Sequence, residues 1–191
     1  VRFLAKYGLP HERQIRLGVE GVSARLRAAV GKPISDDDLV GCTSWLNAHG
    51  KGVRWFMIAG LPGETSDDWL ALRGVIKRWK EMTPKGVLGI SFTAWCPDPA
   101  TPIATLPIVD DYWQHFTEFT EWFFSGVGWS NRIKLMMPQQ PESRMLKAEL
   151  AMGLPDRELR EGGDPGPNQR VNYPYSDGAD RARVRYMRVL D

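Results

Sequence analysis

The fold is decided by the stretch VRWFMIAGLPGET, residues 53–65. Apart from Arg54, its first seven residues are apolar, aromatic or β-branched, a composition typical of a buried strand. The strand breaks at a turn containing Gly60 and Gly63, and the acidic segment after Thr65 has the composition of a helix start. Ligands bind at the carboxyl ends of parallel strands, and glycines let the backbone approach a ligand closely. The stretch therefore predicts a β-to-α joint at the ligand-binding edge of an α/β fold.

A similar strand pattern occurs twice more in the chain. Residues 14–20 form a short strand candidate, and a turn at residues 21–23 leads into a helix-like segment over residues 24–30. Residues 86–94 form a third strand candidate, which is followed by a proline-rich loop. The order β-α-β-α-β with short connections predicts parallel strands joined by right-handed crossovers. The predicted fold class is therefore α/β.

Two longer helices are predicted between these strands. The first begins with Ser35 as its N-cap, and the three aspartates after it lie at the positive end of the helix dipole. The second begins near Thr65 and ends near Pro84. Its predicted buried stripe has helical spacing and consists of Trp69, Leu72, Val75, Ile76 and Trp79.

The chain continues with an aromatic segment over residues 110–124, which predicts a further helix. Phe119 and Trp122 are assigned to the side opposite its stripe, so the helix is expected to be buried on more than one face or to dock a partner. A short strand over residues 132–137 and a helix over about residues 142–152 are predicted after it. The predicted stripe consists of Trp113, Phe116, Thr120 and Phe123.

Four motifs in sequence order resemble those of the radical SAM superfamily. They are LGVEGVS at residues 17–23, VGKPIS at residues 30–35, FMIAGLPGET at residues 56–65 and the proline-containing FTAWCPDPATP at residues 92–102. Together they are similar to the carboxyl half of a partial (β/α)6 TIM-like barrel of the methylthiotransferase or cobalamin-associated type. The resemblance covers about residues 10–105, roughly half of the chain.

The resemblance implies a parallel β-α-β-α-β half of a barrel over residues 1–138, and residues 139–191 are expected to form a helical extension with a basic, irregular tail. It implies S-adenosylmethionine (SAM) as the cofactor, and a cobalamin cofactor is compatible with it. Members of the superfamily hold a 4Fe-4S cluster on a C-x-x-x-C-x-x-C loop. This chain has only Cys42 and Cys96, which cannot supply the three or four thiolates of a cluster. We therefore expect the chain to be the C-terminal portion of a longer protein, whose N-terminal segment supplies the cluster.

Five residues at the first two joints are assigned to the cofactor by this resemblance. Glu20 is expected to accept hydrogen bonds from a ribose diol, with a solvated or capping carboxylate as the alternative. Ser23 either contacts the ligand or caps the next helix. Ile58 and Gly60 are expected to offer an apolar wall and backbone groups to adenine, or else to be a core strand and a tight turn. Glu64 either binds ligand or caps the helix beside it.

Three more residues are assigned to the cofactor at the third strand and the loop after it. The backbone near Phe92 and Thr93 is expected to contact the nucleoside. Trp95 either stacks on adenine or substrate, or packs in the core. No catalytic residue is assigned within this chain.

Composition and charge indicate which kinds of partner and which cellular setting to expect for this chain. Charged residues make up 25% of the chain and its net charge is +2, which gives no support for a dedicated nucleic-acid surface. No apolar run reaches the roughly 20 residues that span a membrane. The few cysteines favour a reducing, cytoplasmic setting. The first strand of a half barrel leaves an open sheet edge, so a missing barrel half or a partner is expected to cover it.

Two functions follow as the main hypotheses, and a binding module for an adenosyl ligand with no radical step is a third. The first is the C-terminal portion of a radical SAM enzyme, which binds ribose and adenine and shapes the substrate cavity for 5′-deoxyadenosyl radical chemistry, and which is not expected to be active as this chain alone. The second is a cluster-less barrel half that acts as a non-catalytic structural or interaction subunit.

Overall fold

The computed structural model describes residues 11, 13–95, 103, 112–125 and 131–136. Its strands are β1 (Gln14–Gly21), β2 (Gly52–Ala59), β3 (Leu88–Ala94) and β4 (Ile133–Met136). Its helices are α1 (Ala24–Ala29), α2 (Asp36–Ala48), α3 (Ser66–Met82) and α4 (Tyr112–Phe124). The proline-rich loop from residue 96, the helix predicted over residues 142–152 and the predicted extension over residues 139–191 lie outside the described residues.

The described strands form one sheet in the order β1-β2-β3-β4, and all three neighbouring pairs are parallel. The α/β class and the parallel sheet predicted from the sequence are therefore confirmed. Crossovers through helices explain this topology, because parallel neighbours cannot be joined by a tight hairpin. Closure of the sheet into half of a barrel stays a prediction. In the described sheet, β1 pairs with β2 alone, which is the edge position expected for the first strand.

The helix starts follow the capping residues of the sequence. The Ser35 hydroxyl accepts a hydrogen bond from the Asp38 backbone N–H at 3.0 Å, as predicted for α2. Thr65 is the N-cap of α3 and forms a capping box with Asp68. These bonds satisfy backbone donors that have no partner within the helix.

Alternate residues of β2 are buried against the helices. The indole Nε1 of Trp55 donates to the Thr43 hydroxyl of α2 at 3.0 Å, and the indole of Trp79 on α3 donates to Asn47 at 3.0 Å. Each bond satisfies the polar atom of a large buried ring. The predicted α3 stripe is confirmed, since all five of its members are buried: Trp69, Leu72, Val75, Ile76 and Trp79.

The stripe predicted for α4 is wrong at one position. Phe119, assigned to the opposite side, is fully buried together with Phe116 and Phe123, whereas Thr120 is only partly buried. The Phe119 ring lies 5.3 Å from the Trp69 ring, centroid to centroid, and therefore packs against α3. Spacings of three and four residues place all three phenylalanines on one side of a helix.

The other face of the sheet carries a different set of side chains, because successive residues of a strand point to opposite faces. We call it the second face. Phe56 on this face is 37% exposed and Met136 is 47% exposed, so the face is partly open to solvent. In register, its members are Arg16, Gly18, Arg54, Phe56, Ile58, Gly89, Ser91, Thr93, Lys134 and Met136.

In the part of the chain that the structure describes, every helix is too short or too polar to cross a membrane.

Candidate nucleoside site

The carboxyl ends of β1, β2 and β3 lie side by side. Gly21 is in register with Ile58, and Ile58 is in register with Thr93. Just beyond the strands, the Trp95 backbone N–H donates to the Ala59 carbonyl at 2.7 Å. The sheet thus brings the three predicted ligand-binding joints to one edge. This is the edge at which parallel α/β sheets bind ligands.

Glu20 occupies this edge in an unusual backbone conformation. Its φ is 71°, and among the described residues no other residue except glycine has a positive φ. The β1 register shifts between Gly18 and Glu20. A register shift of this kind is a β-bulge, a feature that re-aims a side chain. The carboxylate forms an ion pair with Lys32, whose amine also lies 3.3 Å from the Gly18 carbonyl oxygen.

The bulge places the Glu20 carboxylate over the second face. A Cβ atom on Gly18 would lie 2.9 Å from Oε1 of Glu20 and 3.1 Å from Nζ of Lys32. Gly18 is in register with Phe56 on the second face, so the ion pair lies on that face beside β1. Both side chains keep access to solvent, since Lys32 is 45% exposed and Glu20 is 27% exposed. A ligand that offers hydroxyl or cationic groups therefore finds a carboxylate here.

Glu64 is the buried acid of the turn after β2. Its two carboxylate oxygens accept hydrogen bonds from the Gly60 backbone N–H and from the Trp69 indole, each at 2.9 Å. Gly60 and Gly63 have φ values of 77° and 74°, which the tight turn requires and which other residues rarely adopt. Thr65 is the helix cap, so the alternative in which Glu64 caps α3 is wrong. Glu64 instead holds the turn together from inside.

Burial raises the pKa of Glu64 to about 7. The loss of water around the carboxylate is the main cause, and the negative charge of Asp68 adds to it. The hydrogen bonds from Trp69 and Gly60 act in the opposite direction, because they favour the ionised form. Glu64 therefore changes its charge near neutral pH while it is packed under the turn.

Ser23 belongs to a network that joins α1 to the same turn. Its hydroxyl donates to Oδ1 of Asp68 at 2.5 Å and accepts from the Leu26 backbone N–H at 3.4 Å. Arg25 donates to Asp68 at 2.5 and 2.8 Å and to the Gly63 carbonyl at 2.8 Å. The capping alternative for Ser23 is therefore confirmed, and the network fixes the two joints relative to each other.

The third joint separates its predicted residues between the two sides of the sheet. Phe92 is buried among the helices, with its ring 5.4 Å from Trp69 and 5.1 Å from Phe116. Trp95 is also buried, in agreement with the packing alternative. Thr93 is exposed on the second face, in register with Ile58. Of this group, only the side chain of Thr93 is exposed on the second face, and contact of the backbone near Phe92 and Thr93 with a nucleoside stays a prediction.

Three residues that order the site were not predicted from the sequence. Lys32 pairs with Glu20, while Arg25 and Asp68 tie the first joint to the second. Asp68 has a local signal, because Thr65 and Asp68 have the spacing of a capping box. Arg25 lies 43 residues from Asp68 and Lys32 lies 12 residues from Glu20, so only the folded chain brings these pairs together.

The residues of this chain do not fit an iron–sulfur cluster. Cys42 lies on α2 in the helix layer, half-buried, and burial raises the pKa of its thiol. A raised pKa disfavours the thiolate that metal binding requires. Within the described residues, no three or more His, Cys, Asp and Glu side chains are grouped to hold a metal ion. A cluster therefore needs ligands that this chain does not contain, since its sequence has two cysteines in all.

In comparisons with known proteins, no protein-family model matches the chain, and neither does any curated protein sequence.

Proposed function

We propose that this chain is the C-terminal portion of a radical SAM enzyme and binds the ribose and adenine of SAM at the carboxyl ends of β1, β2 and β3. The single observation that carries the proposal is the position of Glu20. A bulge and a positive φ place its carboxylate over the second face, at the ligand-binding edge of a parallel sheet. Three of the four motifs of the sequence resemblance, together with residues 92–95 of the fourth, lie in or beside this edge.

The chemistry of the edge suits an adenosyl ligand better than a phosphate. The Glu20 carboxylate accepts hydrogen bonds from the two ribose hydroxyls and attracts the positively charged sulfonium group of SAM. Ile58 and Thr93 lie next to each other in register and offer a surface for adenine. The Gly60 turn is held in shape by Glu64, so it is preorganised before ligand arrives. When the ribose binds, Lys32 either stays paired with Glu20 beside it or moves away from the carboxylate. The 45% exposure of Lys32 leaves room for this movement.

In this proposal the chain contributes binding and orientation. When a reduced cluster is supplied by a segment outside this chain, it cleaves SAM to a 5′-deoxyadenosyl radical that abstracts a hydrogen atom from substrate. The half-barrel form of the fold, with the second face turned toward the cavity, belongs to the same proposal. The proposal also includes an N-terminal barrel half that pairs with the edge of β1.

Replacing the Glu20 carboxylate is expected to weaken nucleoside binding. We expect E20Q to bind S-adenosylhomocysteine about tenfold more weakly than the unmodified chain, because a hydrogen bond to a charged group contributes about 1.5–3 kcal/mol. S-Adenosylhomocysteine carries the ribose and adenine without the reactive sulfonium. Isothermal titration calorimetry measures the affinity. Glu81→Gln on the exposed surface of α3 is the matched control and should leave it unchanged. Equal affinities for E20Q and the unmodified chain would contradict the assignment of Glu20.

A non-catalytic structural or interaction subunit is the second candidate. The observation that favours it is the partly exposed second face, with Phe56 and Met136 open to solvent. The iron content and intact mass of the protein purified anaerobically from its source separate the two candidates. A species much heavier than 21.6 kDa with about four irons favours the enzyme. A species of 21.6 kDa without iron favours the subunit.

A further inference from the structure

A row of cations crosses the second face near the amino ends of the strands. Arg16 of β1 is in register with Arg54 of β2, Arg54 with Gly89 of β3, and Gly89 with Lys134 of β4. Residues in register on parallel strands point to the same face of a sheet. Three positive charges and one glycine therefore form a single line, which we call the cation row. No acidic residue belongs to it.

Arg54 occupies the middle of the row and leans over β3. A Cβ atom on Gly89 would lie 3.2 Å from Nε of Arg54 and 3.4 Å from its Cγ, so the absent side chain of Gly89 gives the arginine its space. This direction takes the guanidinium away from Arg16 and toward the strand of Lys134. Gly89 thus has a steric role, because any side chain there would displace Arg54.

The charges of the row are not compensated within the described part of the chain. The ion pairs found there join Arg25 to Asp68, Arg27 to Asp36, Lys32 to Glu20 and Arg78 to Asp37. None of them includes Arg16, Arg54 or Lys134. In addition, Nε of Arg54 is buried and has no hydrogen-bond partner.

This arrangement costs stability unless an anion joins it. Like charges directly opposite each other on neighbouring strands are destabilising, and a buried donor without an acceptor carries a desolvation penalty. An arginine fork matches the geometry of a carboxylate or a phosphate, with two parallel hydrogen bonds. The neighbouring lysine adds a point charge that favours the same group.

We propose that the cation row binds the phosphate or carboxylate group of a small molecule held on the second face, with Arg54 as its main ligand. This inference goes beyond the nucleoside site and does not depend on it. The Glu20 carboxylate lies over Gly18, two residues along β1 from Arg16, which corresponds to about 7 Å of strand. The anion therefore belongs to a second molecule, or to another part of a ligand that also reaches Glu20, and in an enzyme the second molecule is the substrate.

The test is a titration of the 191-residue chain with inorganic pyrophosphate and, separately, with citrate at low ionic strength. We expect saturable binding of at least one of them. Pyrophosphate alone identifies the group as a phosphate, and citrate alone identifies it as a carboxylate. R54Q and K134Q should each weaken the binding about tenfold. The matched control is R78Q, which removes one positive charge from the exposed surface of α3 and should have no effect.

Thermal unfolding supplies a second readout. In buffer without a multivalent anion, R54Q and R16Q should unfold at the same temperature as the unmodified chain or at a higher one, because each removes a repulsion across the row. Pyrophosphate or citrate should then raise the melting temperature of the unmodified chain more than that of either variant. A clearly lower melting temperature for both variants without anion would mean that the row is already compensated, and it would overturn the proposal.

Three other results would overturn it. They are no binding of either anion, equal weakening by R78Q and R54Q, and binding of an acidic peptide or an oligonucleotide without binding of either small anion. The same samples are titrated with S-adenosylhomocysteine, so the two sites are scored independently. Binding of pyrophosphate without the nucleoside would keep the cation row and reject the nucleoside site, and the reverse result would do the opposite.

Discussion

Trp69→Ala is expected to lower the free energy of unfolding by about 3–5 kcal/mol, the range measured when a large buried aromatic side chain is truncated. The Trp69 ring lies 5.4 Å from Phe92 of β3 and 5.3 Å from Phe119 of α4, so it joins α3 to the sheet and to the last helix. Its indole also donates to the buried Glu64. The substitution leaves a cavity and removes one of the hydrogen bonds that hold the turn after β2.

Chemical denaturation monitored by circular dichroism measures this loss. Trp69→Phe keeps most of the ring volume and removes the indole donor, so its expected loss is smaller, about 1–2 kcal/mol. Trp45→Ala is the matched control, because Trp45 is only partly buried and stacks on the exposed His49. If Trp69→Ala and Trp45→Ala lowered stability equally, Trp69 would not be the centre of the aromatic core.

The stability of the chain is expected to depend on pH through Glu64. Its pKa is raised from 4.5 to about 7 in the folded chain, so between these values the folded state binds a proton that the unfolded state has lost. The contribution of Glu64 is therefore fully present below about pH 4.5 and is lost as the pH rises to about 7. It amounts to roughly 3 kcal/mol, since one pKa unit corresponds to about 1.4 kcal/mol.

E64Q isolates this contribution, because glutamine has no charge at any pH in the range. The difference in unfolding free energy between E64Q and the unmodified chain should shift in favour of E64Q by roughly 3 kcal/mol as the pH rises through the window. Comparison with the unmodified chain cancels the other titrating groups. Glu81→Gln is exposed and should show no such trend. A pH-independent difference for E64Q would mean that Glu64 stays ionised when it is buried.

Much of the fold could be predicted from local sequence signals. The strand over residues 52–59 and the helix that starts after Thr65 follow from one apolar run, a glycine turn and a capping residue. Ser35 and its aspartates likewise identify the start of α2. These signals act within a few residues, so the sequence displays them directly.

The errors arise where contacts distant in sequence decide the outcome. In α4, aromatic residues occur on almost every side, and periodicity alone cannot choose between Phe119 and Thr120. The choice depends on Trp69 and Phe92, which come from two other elements. The role of Glu64 depends in the same way on an indole one turn into α3.

The location of the candidate site could be predicted from the sequence better than the roles of its residues. The register confirms that Gly21, Ile58 and Thr93 share one edge, as a parallel sheet requires. The sequence does not show that Phe92 turns toward the helices, nor that Lys32 pairs with Glu20. It also gives no sign of the cation row, because alignment across strands depends on register.

A nucleoside site at the carboxyl ends of β1, β2 and β3 is tested most directly by the amide chemical shifts that change when S-adenosylhomocysteine is added to the ¹⁵N-labelled chain. The largest changes should fall on Glu20, Gly60 and Thr93, at the carboxyl ends of three neighbouring strands. Amides on the outer surfaces of α2 and α3 should stay unchanged. Saturation without change at these three residues, or changes confined to the helices, would contradict a nucleoside site at this edge of the sheet.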